Sequence, residues 1–183
     1  MLYNTNIELK YFSTFLSGNQ WLLFYEFNIN DSTVFQRCDQ EIISSLLKTK
    51  VMGEDIYHSE MDSSEIKLSR EGLKNLSRPY DFDLISIKDF YFLKSLNEFK
   101  EWIQKFRINN LEDEDTQILI SRAENEIFKR TKVENGIWYL SKEMINESPE
   151  KLAELHWIYL YFETFIEIDK ENQIIRTFDF GYD

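Results

Sequence analysis

The segment from Trp157 to Asp169 alternates strictly enough to limit what the chain can fold into. Even positions carry Ile158, Leu160, Phe162, Thr164, Ile166 and Ile168, while odd positions carry Trp157, Tyr159, Tyr161, Glu163, Phe165, Glu167 and Asp169. Successive side chains of a strand point to opposite faces, so a period of two predicts one core face and one face mixing aromatic rings with carboxylates. Lys170-Glu171-Asn172 suits a short loop, with Asn172 in the left-handed position, leading into a second strand. If Asp169 faces Gln173, Ile168 pairs with Ile174, Ile166 with Arg176, Thr164 with Phe178 and Phe162 with Phe180, which keeps mostly apolar residues together. The same register sets Glu163 opposite Asp179 and Tyr159 opposite Asp183. Like charges directly opposed destabilise a strand pair, so this face is expected to draw a compensating cation, a basic side chain or a basic partner.

The other segments predict an α+β fold, an antiparallel sheet including this C-terminal β-hairpin packed with about four to five helices. Leu9, Phe12 and Leu16 recur at helical spacing between Asn6 and Gly18, which predicts a short helix, with a strand as the alternative because Ile7, Leu9, Tyr11 and Phe15 also alternate. Trp21 to Ile29 is rich in β-forming aromatics and reads as a strand. Asp39 to Lys50 predicts a helix burying Ile42, Ile43, Leu46 and Leu47, and a short helix is expected around Arg70 to Leu76. Asp81 to Phe92 has room for a strand. Ser95 with Glu98 forms a capping box ahead of a helix to Phe106 that buries Leu96, Phe99, Trp102, Ile103 and Phe106. Thr116 to Lys132 predicts another helix, its N-terminus flanked by the acids of residues 109–115. Ile137 to Leu140 is a short strand or helix entry, and Ser148-Pro149 opens a last helix before the hairpin.

With 183 residues, the chain is expected to form a single acidic globular domain, 1–183, large enough to bury a core without disulfides or metals. The net charge of −12 disfavours nucleic acid and anionic membrane surfaces as partners. Nine acids against three bases follow Asn146, so the negative charge is concentrated where the aromatic face lies. Cys38 is the single cysteine and cannot form an intrachain disulfide. The opening MLYNTNIELK shows no secretory pattern, and the longest apolar runs are too short to span a bilayer, so a cytoplasmic protein is expected.

Motifs that carry chemistry are sparse. Glu54, Asp55, His58, Glu60 and Asp62 cluster in a polar stretch but lack a second His or Cys at ligand spacing. Asp113, Asp115, Gln117 and Glu124 imitate a calcium loop whose required glycine is replaced by Ile118. Cys38 with His58 or His156 makes no recognisable nucleophile and base pair, and no phosphate-binding or dinucleotide-binding loop is present. No cofactor and no metal are expected.

Aromatic anchors beside carboxylates suit a surface that captures a basic protein. The expected function is a non-enzymatic acidic protein that sequesters or inhibits a basic protein partner, such as an intracellular immunity or inhibitor protein for a nuclease-like toxin. Its expected interface is Trp157, Tyr159, Tyr161 and Phe165 as anchors, with Glu163, Glu167, Asp179 and Asp183 as charges. Two alternatives stand beside it. One is a small-molecule or carbohydrate-acting enzyme with Glu163 and Asp179 as paired carboxylates, and the other a structural adaptor that forms a homodimer through the aromatic face.

Overall fold

In a computed structural model, the structure describes residues 7–17, 20–47, 87–93, 96–109, 111–132, 135–141, 144 and 161–182. The elements in chain order are β1 (Ile7–Ser17), β2 (Gln20–Ile29), α1 (Asp39–Leu46), β3 (Tyr91–Leu93), α2 (Leu96–Asn109), α3 (Glu114–Arg130), β4 (Ile137–Ser141), β5 (Tyr161–Asp169) and β6 (Ile174–Tyr182). The strands form one six-stranded sheet in the order β1-β2-β6-β5-β4-β3. Every pairing in it is antiparallel. The α+β class and the C-terminal hairpin match the sequence expectation. The helix number does not: three α-helices occur among the described residues rather than four to five. The helices expected near Arg70 and after Pro149 lie outside the described residues, as does most of the strand expected from Asp81.

The segment expected to be helical at the start is β1, the strand reading of the same residues. Its apolar residues satisfy both periods, and the tie is broken by pairing: β1 runs beside β2 from Ile7 opposite Ile29 to Ser17 opposite Gln20, with a bulge between Leu9 and Tyr11.

One face of the sheet is covered by α2 and α3. Leu22 and Phe24 from β2, Phe178 and Phe180 from β6, Phe165 from β5, Ile137 from β4 and Leu93 from β3 meet the helices there. Across from them α2 supplies Leu96, Phe99 and Ile103, and α3 supplies Leu119, Ile120 and Ala123. Phe99 seats 4.6 Å from Phe165, and Phe24 stacks on Phe178 at 4.9 Å. These are the positions that helical spacing marks as inward. Trp102 and Phe106 stack on each other at the half-buried flank of α2.

The opposite face is closed to water as well. Leu23, Tyr25, Phe27, Ile166, Ile168 and Ile175 are all buried there, together with Trp138 and Leu140 of β4. Helix α1 is tied to this face by Trp138 Nε1 donating to Asp39 Oδ2 at 3.3 Å, and it buries Ile42, Ile43 and Leu46. A sheet buried on both faces needs no polar side, which explains aromatic residues at odd and even positions alike. At the β3 edge the Phe92 ring lies over Gly136, where an added Cβ would collide with it, and packs on Trp138 at 4.9 Å.

The hairpin register differs from the expected one by a single residue. The loop spans four residues, Lys170 to Gln173, and the left-handed residue is Gln173 at φ 58°, not Asn172. Asn172 instead serves Asp169, donating its backbone N–H to Oδ1 and its side-chain amide to Oδ2. The observed pairs are Asp169 with Ile174, Ile168 with Ile175, Glu167 with Arg176, Phe165 with Phe178 and Thr164 with Asp179. A slip of one residue exchanges the faces of one strand relative to the other. It brings Arg176 opposite Glu167 instead of Ile166, which gives a buried charge its counter-charge.

Phe165→Ala leaves a cavity against Phe99, Phe178 and Tyr139, and is expected to cost about 3–5 kcal/mol in urea unfolding. A cost below about 1 kcal/mol would show that Phe165 does not belong to the core.

Candidate functional site

At the turn end of the hairpin, on the face covered by α2 and α3, the side chain of Arg176 sits inside a group of carboxylates. Its Nε donates to Glu26 Oε2 at 2.8 Å and its Nη1 to Glu167 Oε2 at 3.0 Å, with Asp169 Oδ2 at 3.5 Å. The strand order places these groups together: Glu26 faces Arg176 from β2, and Glu167 faces it from β5. All four residues are buried. Two lysines add positive charge from the rim, Lys10 Nζ at 3.5 Å from Glu26 and Lys132 Nζ at 3.8 Å from Asp169. The other oxygen of Glu167 accepts from the backbone N–H of Lys132 at 3.1 Å and from Asn135 Nδ2 at 2.7 Å, which holds the connection between α3 and β4.

Three carboxylates around one guanidinium do not ionise alike. Burial pushes the Glu167 carboxyl up, and the charge of Arg176 with the hydrogen bonds from Asn135 and Lys132 offsets this in part. For Asp169 burial also acts upward, but the two hydrogen bonds from Asn172 and the charges of Lys132 and Arg176 outweigh it and hold the group below its ordinary value. Burial of Arg176 is likewise outweighed by Glu167 and Glu26, so its charge is retained more firmly than usual.

Toward the other end of the same face, Glu163 is half-buried next to Tyr139. Burial and the neighbouring Glu163 charge push the Tyr139 hydroxyl well up, so it stays protonated and donates to that carboxylate. Ser141 and Trp102 complete the polar surroundings of the Tyr139 hydroxyl.

The expected like-charge pair is absent. Glu163 lies opposite Phe180 on the helical face, while Asp179 lies opposite Thr164 on the other face and accepts from Thr164 Oγ1 at 2.9 Å. Phe165, Glu167 and Asp179, expected at the interface, are buried in this structure. Tyr161 pairs with Tyr182 in the strand register, and Trp157, Tyr159 and Asp183 lie outside the described residues. Of the expected interface side chains placed by the structure, Glu163 alone is more than marginally accessible.

Sequence reasoning overlooked Arg176 and Glu26 as partners. The signal was present: a lone arginine in a strand otherwise flanked by apolar residues, and a lone glutamate in the aromatic run of β2, are two charges that each need a match.

Among the other candidates, residues 54–62 lie outside the described residues. Asp113 is the cap of α3, accepting from the Thr116 N–H at 3.2 Å, and Glu124 is paired with Arg107, so the calcium-like spacing is helix surface. Among the described residues no group of three or more His, Cys, Asp and Glu is placed to hold a metal ion. Cys38 is exposed, just ahead of α1. No protein-family model, curated protein or solved structure matches this chain.

Removing the central cation leaves buried carboxylates without their match, so Arg176→Met is expected to cost about 3–5 kcal/mol at neutral pH in urea unfolding. The cluster also gives stability two opposite pH dependences. Glu167 keeps its proton to a higher pH folded than unfolded, so its contribution is full below its ordinary value of 4.5 and is lost as pH rises through the native value. The contribution of Asp169 is present above its ordinary value of 3.8 and is lost as pH falls through its lower native value. Unfolding titrations should therefore show Glu167→Gln gaining on wild type as pH rises from acid toward neutral, and Asp169→Asn losing to wild type over the same span.

Proposed function

We propose that this chain is a non-enzymatic acidic protein that binds and neutralises a basic protein partner, in the manner of an intracellular immunity or inhibitor protein for a nuclease-like toxin. The observation that carries this reading is where the charge resides. The carboxylates buried around Arg176 are matched by that residue, Lys132 and Lys10. Among the described residues, every carboxylate other than Glu26, Glu167, Asp169 and Asp179 is at least partly exposed, in a chain whose net charge is −12. A surface of one dominant sign steers an oppositely charged partner to encounter and rejects phosphate backbones, which it would resemble electrostatically. Among the described residues, no helix is long and apolar enough to cross a membrane. Glu163 and Asp179, the pair named for the enzyme alternative, project from opposite faces of the sheet, which favours the binding reading.

Direct binding to the purified products of neighbouring genes tests the proposal, combined with co-expression to measure rescue from any toxicity. The expected result is a basic partner whose toxicity is suppressed and whose affinity falls steadily as salt is raised, because screening weakens contacts between exposed charges. Binding that is indifferent to salt, or failure of every basic product to bind, would overturn it.

A further inference from the structure

Six large apolar side chains are well exposed among the described residues: Tyr91, Phe92, Ile108, Leu111, Ile118 and Met144. Three of them gather around one turn. Ile108 ends α2 at 61% exposure, Leu111 lies in the connection at 66%, and Ile118 lies in the second turn of α3 at 39%. Exposed leucines and isoleucines scattered singly need no explanation, whereas a contiguous group on one rigid turn marks a contact surface.

The turn is held from within. Asp113 accepts from Gln20 Nε2 of β2 at 2.6 Å and from Thr116 Oγ1 at 2.8 Å, and Gln117 Nε2 donates to the Arg107 carbonyl at 3.0 Å. These bonds tie the end of α2, the connection and the start of α3 to the sheet, so little ordering remains to oppose binding there. Within residues 108–121 its charge is of one sign, with Lys105 and Arg122 one helical turn away from Ile108 and Ile118. Glu112, Asp113, Glu114 and Asp115 follow Leu111, and no base occurs in the sequence between Arg107 and Arg122. Arg107 is taken up by Glu124 and Asp113 is turned inward, which leaves Glu112 and Glu114 exposed beside the apolar group.

We infer that the α2–α3 turn is the docking surface of this protein. Ile108, Leu111 and Ile118 receive an apolar side chain of a basic protein segment, and Glu112 and Glu114 pair with the Lys or Arg residues that flank it. The inference rests on the proposed capture of a basic partner and moves the contact away from the C-terminal hairpin. An apolar centre with a charged rim is the usual division between affinity and steering, and the exposed acids here frame the apolar group.

The test uses a synthetic amphipathic leucine–lysine peptide of about 14 residues as the probe. Methyl chemical shifts of Ile108, Leu111 and Ile118 are followed by NMR, and affinity is measured at several salt concentrations. The expected result is that these methyls shift first and that Leu111→Ser with Ile118→Ser weakens binding about tenfold or more. Glu112→Lys with Glu114→Lys should weaken it and flatten its salt dependence. Both pairs are exposed, and an unchanged melting temperature confirms the fold. Wild-type affinity in both double variants would overturn the docking surface while leaving the basic-partner reading intact. Equal binding of a leucine–glutamate peptide would overturn the charge complementarity, and no binding of the lysine peptide by wild type would overturn both readings.

Discussion

The position of the Arg176 guanidinium is the constraint on which the sheet depends. A charge buried in the middle strand is costly unless its partners are in place, and its partners come from β2 on one side and β5 on the other. Glu26 and Glu167 can both reach it only if β6 lies between those strands in one register. The hydrophobic face alone specifies less, because apolar residues occupy both sides of β2, β5 and β6 and a slipped strand would still bury Phe and Ile. The ion cluster thus supplies specificity where the aromatic composition is permissive, and Lys132 and Asn135 extend it to the α3–β4 connection through Glu167.

That division explains what was legible in the residues and what was not. Periodicity exposed β2, β5, α2, α3 and the apolar positions of each, since Phe99, Ile103, Leu119 and Ala123 repeat at helical spacing whatever they pack against. It could not settle β1, where Leu9, Phe12 and Leu16 serve a helix and Ile7, Leu9 and Tyr11 serve a strand, and pairing with β2 decides. It also placed the hairpin one residue out of register. The left-handed tendency of asparagine points to Asn172, but Asn172 is committed to Asp169 and Gln173 takes the positive φ. The expected opposition of Glu163 and Asp179 depends on that register, and Asp179 faces Thr164 instead. Whether an alternating strand shows one face or none to water depends on what covers the sheet, and helices are contributed by distant segments that local pattern does not assign to a side.

The acidic character of the chain accordingly has two separate parts. Inside, carboxylates are structural, tied to Arg176, Asn172 or Thr164 and turned from water. Outside, they border helix ends and loops, and at the α2–α3 turn they border apolar side chains that the core has no use for. Charge reversal in the first group acts on folding, whereas in the second it acts on association, so the two are separable by substitution.

The pairing of β2 with β6 joins residues far apart along the chain, Glu26 and Arg176 being 150 positions distant. During synthesis from the N-terminus the β1–β2 pair therefore emerges long before its inner neighbour. Until β6 arrives, Leu22, Phe24 and Phe27 lie on a strand with one unfilled edge and no settled cover. Closing so long a loop is entropically slow relative to local helix formation. The nascent chain thus passes through an interval in which an open, aromatic-rich edge is available to other chains, and β6, the latest in chain order of the six described strands, is the one that shuts it.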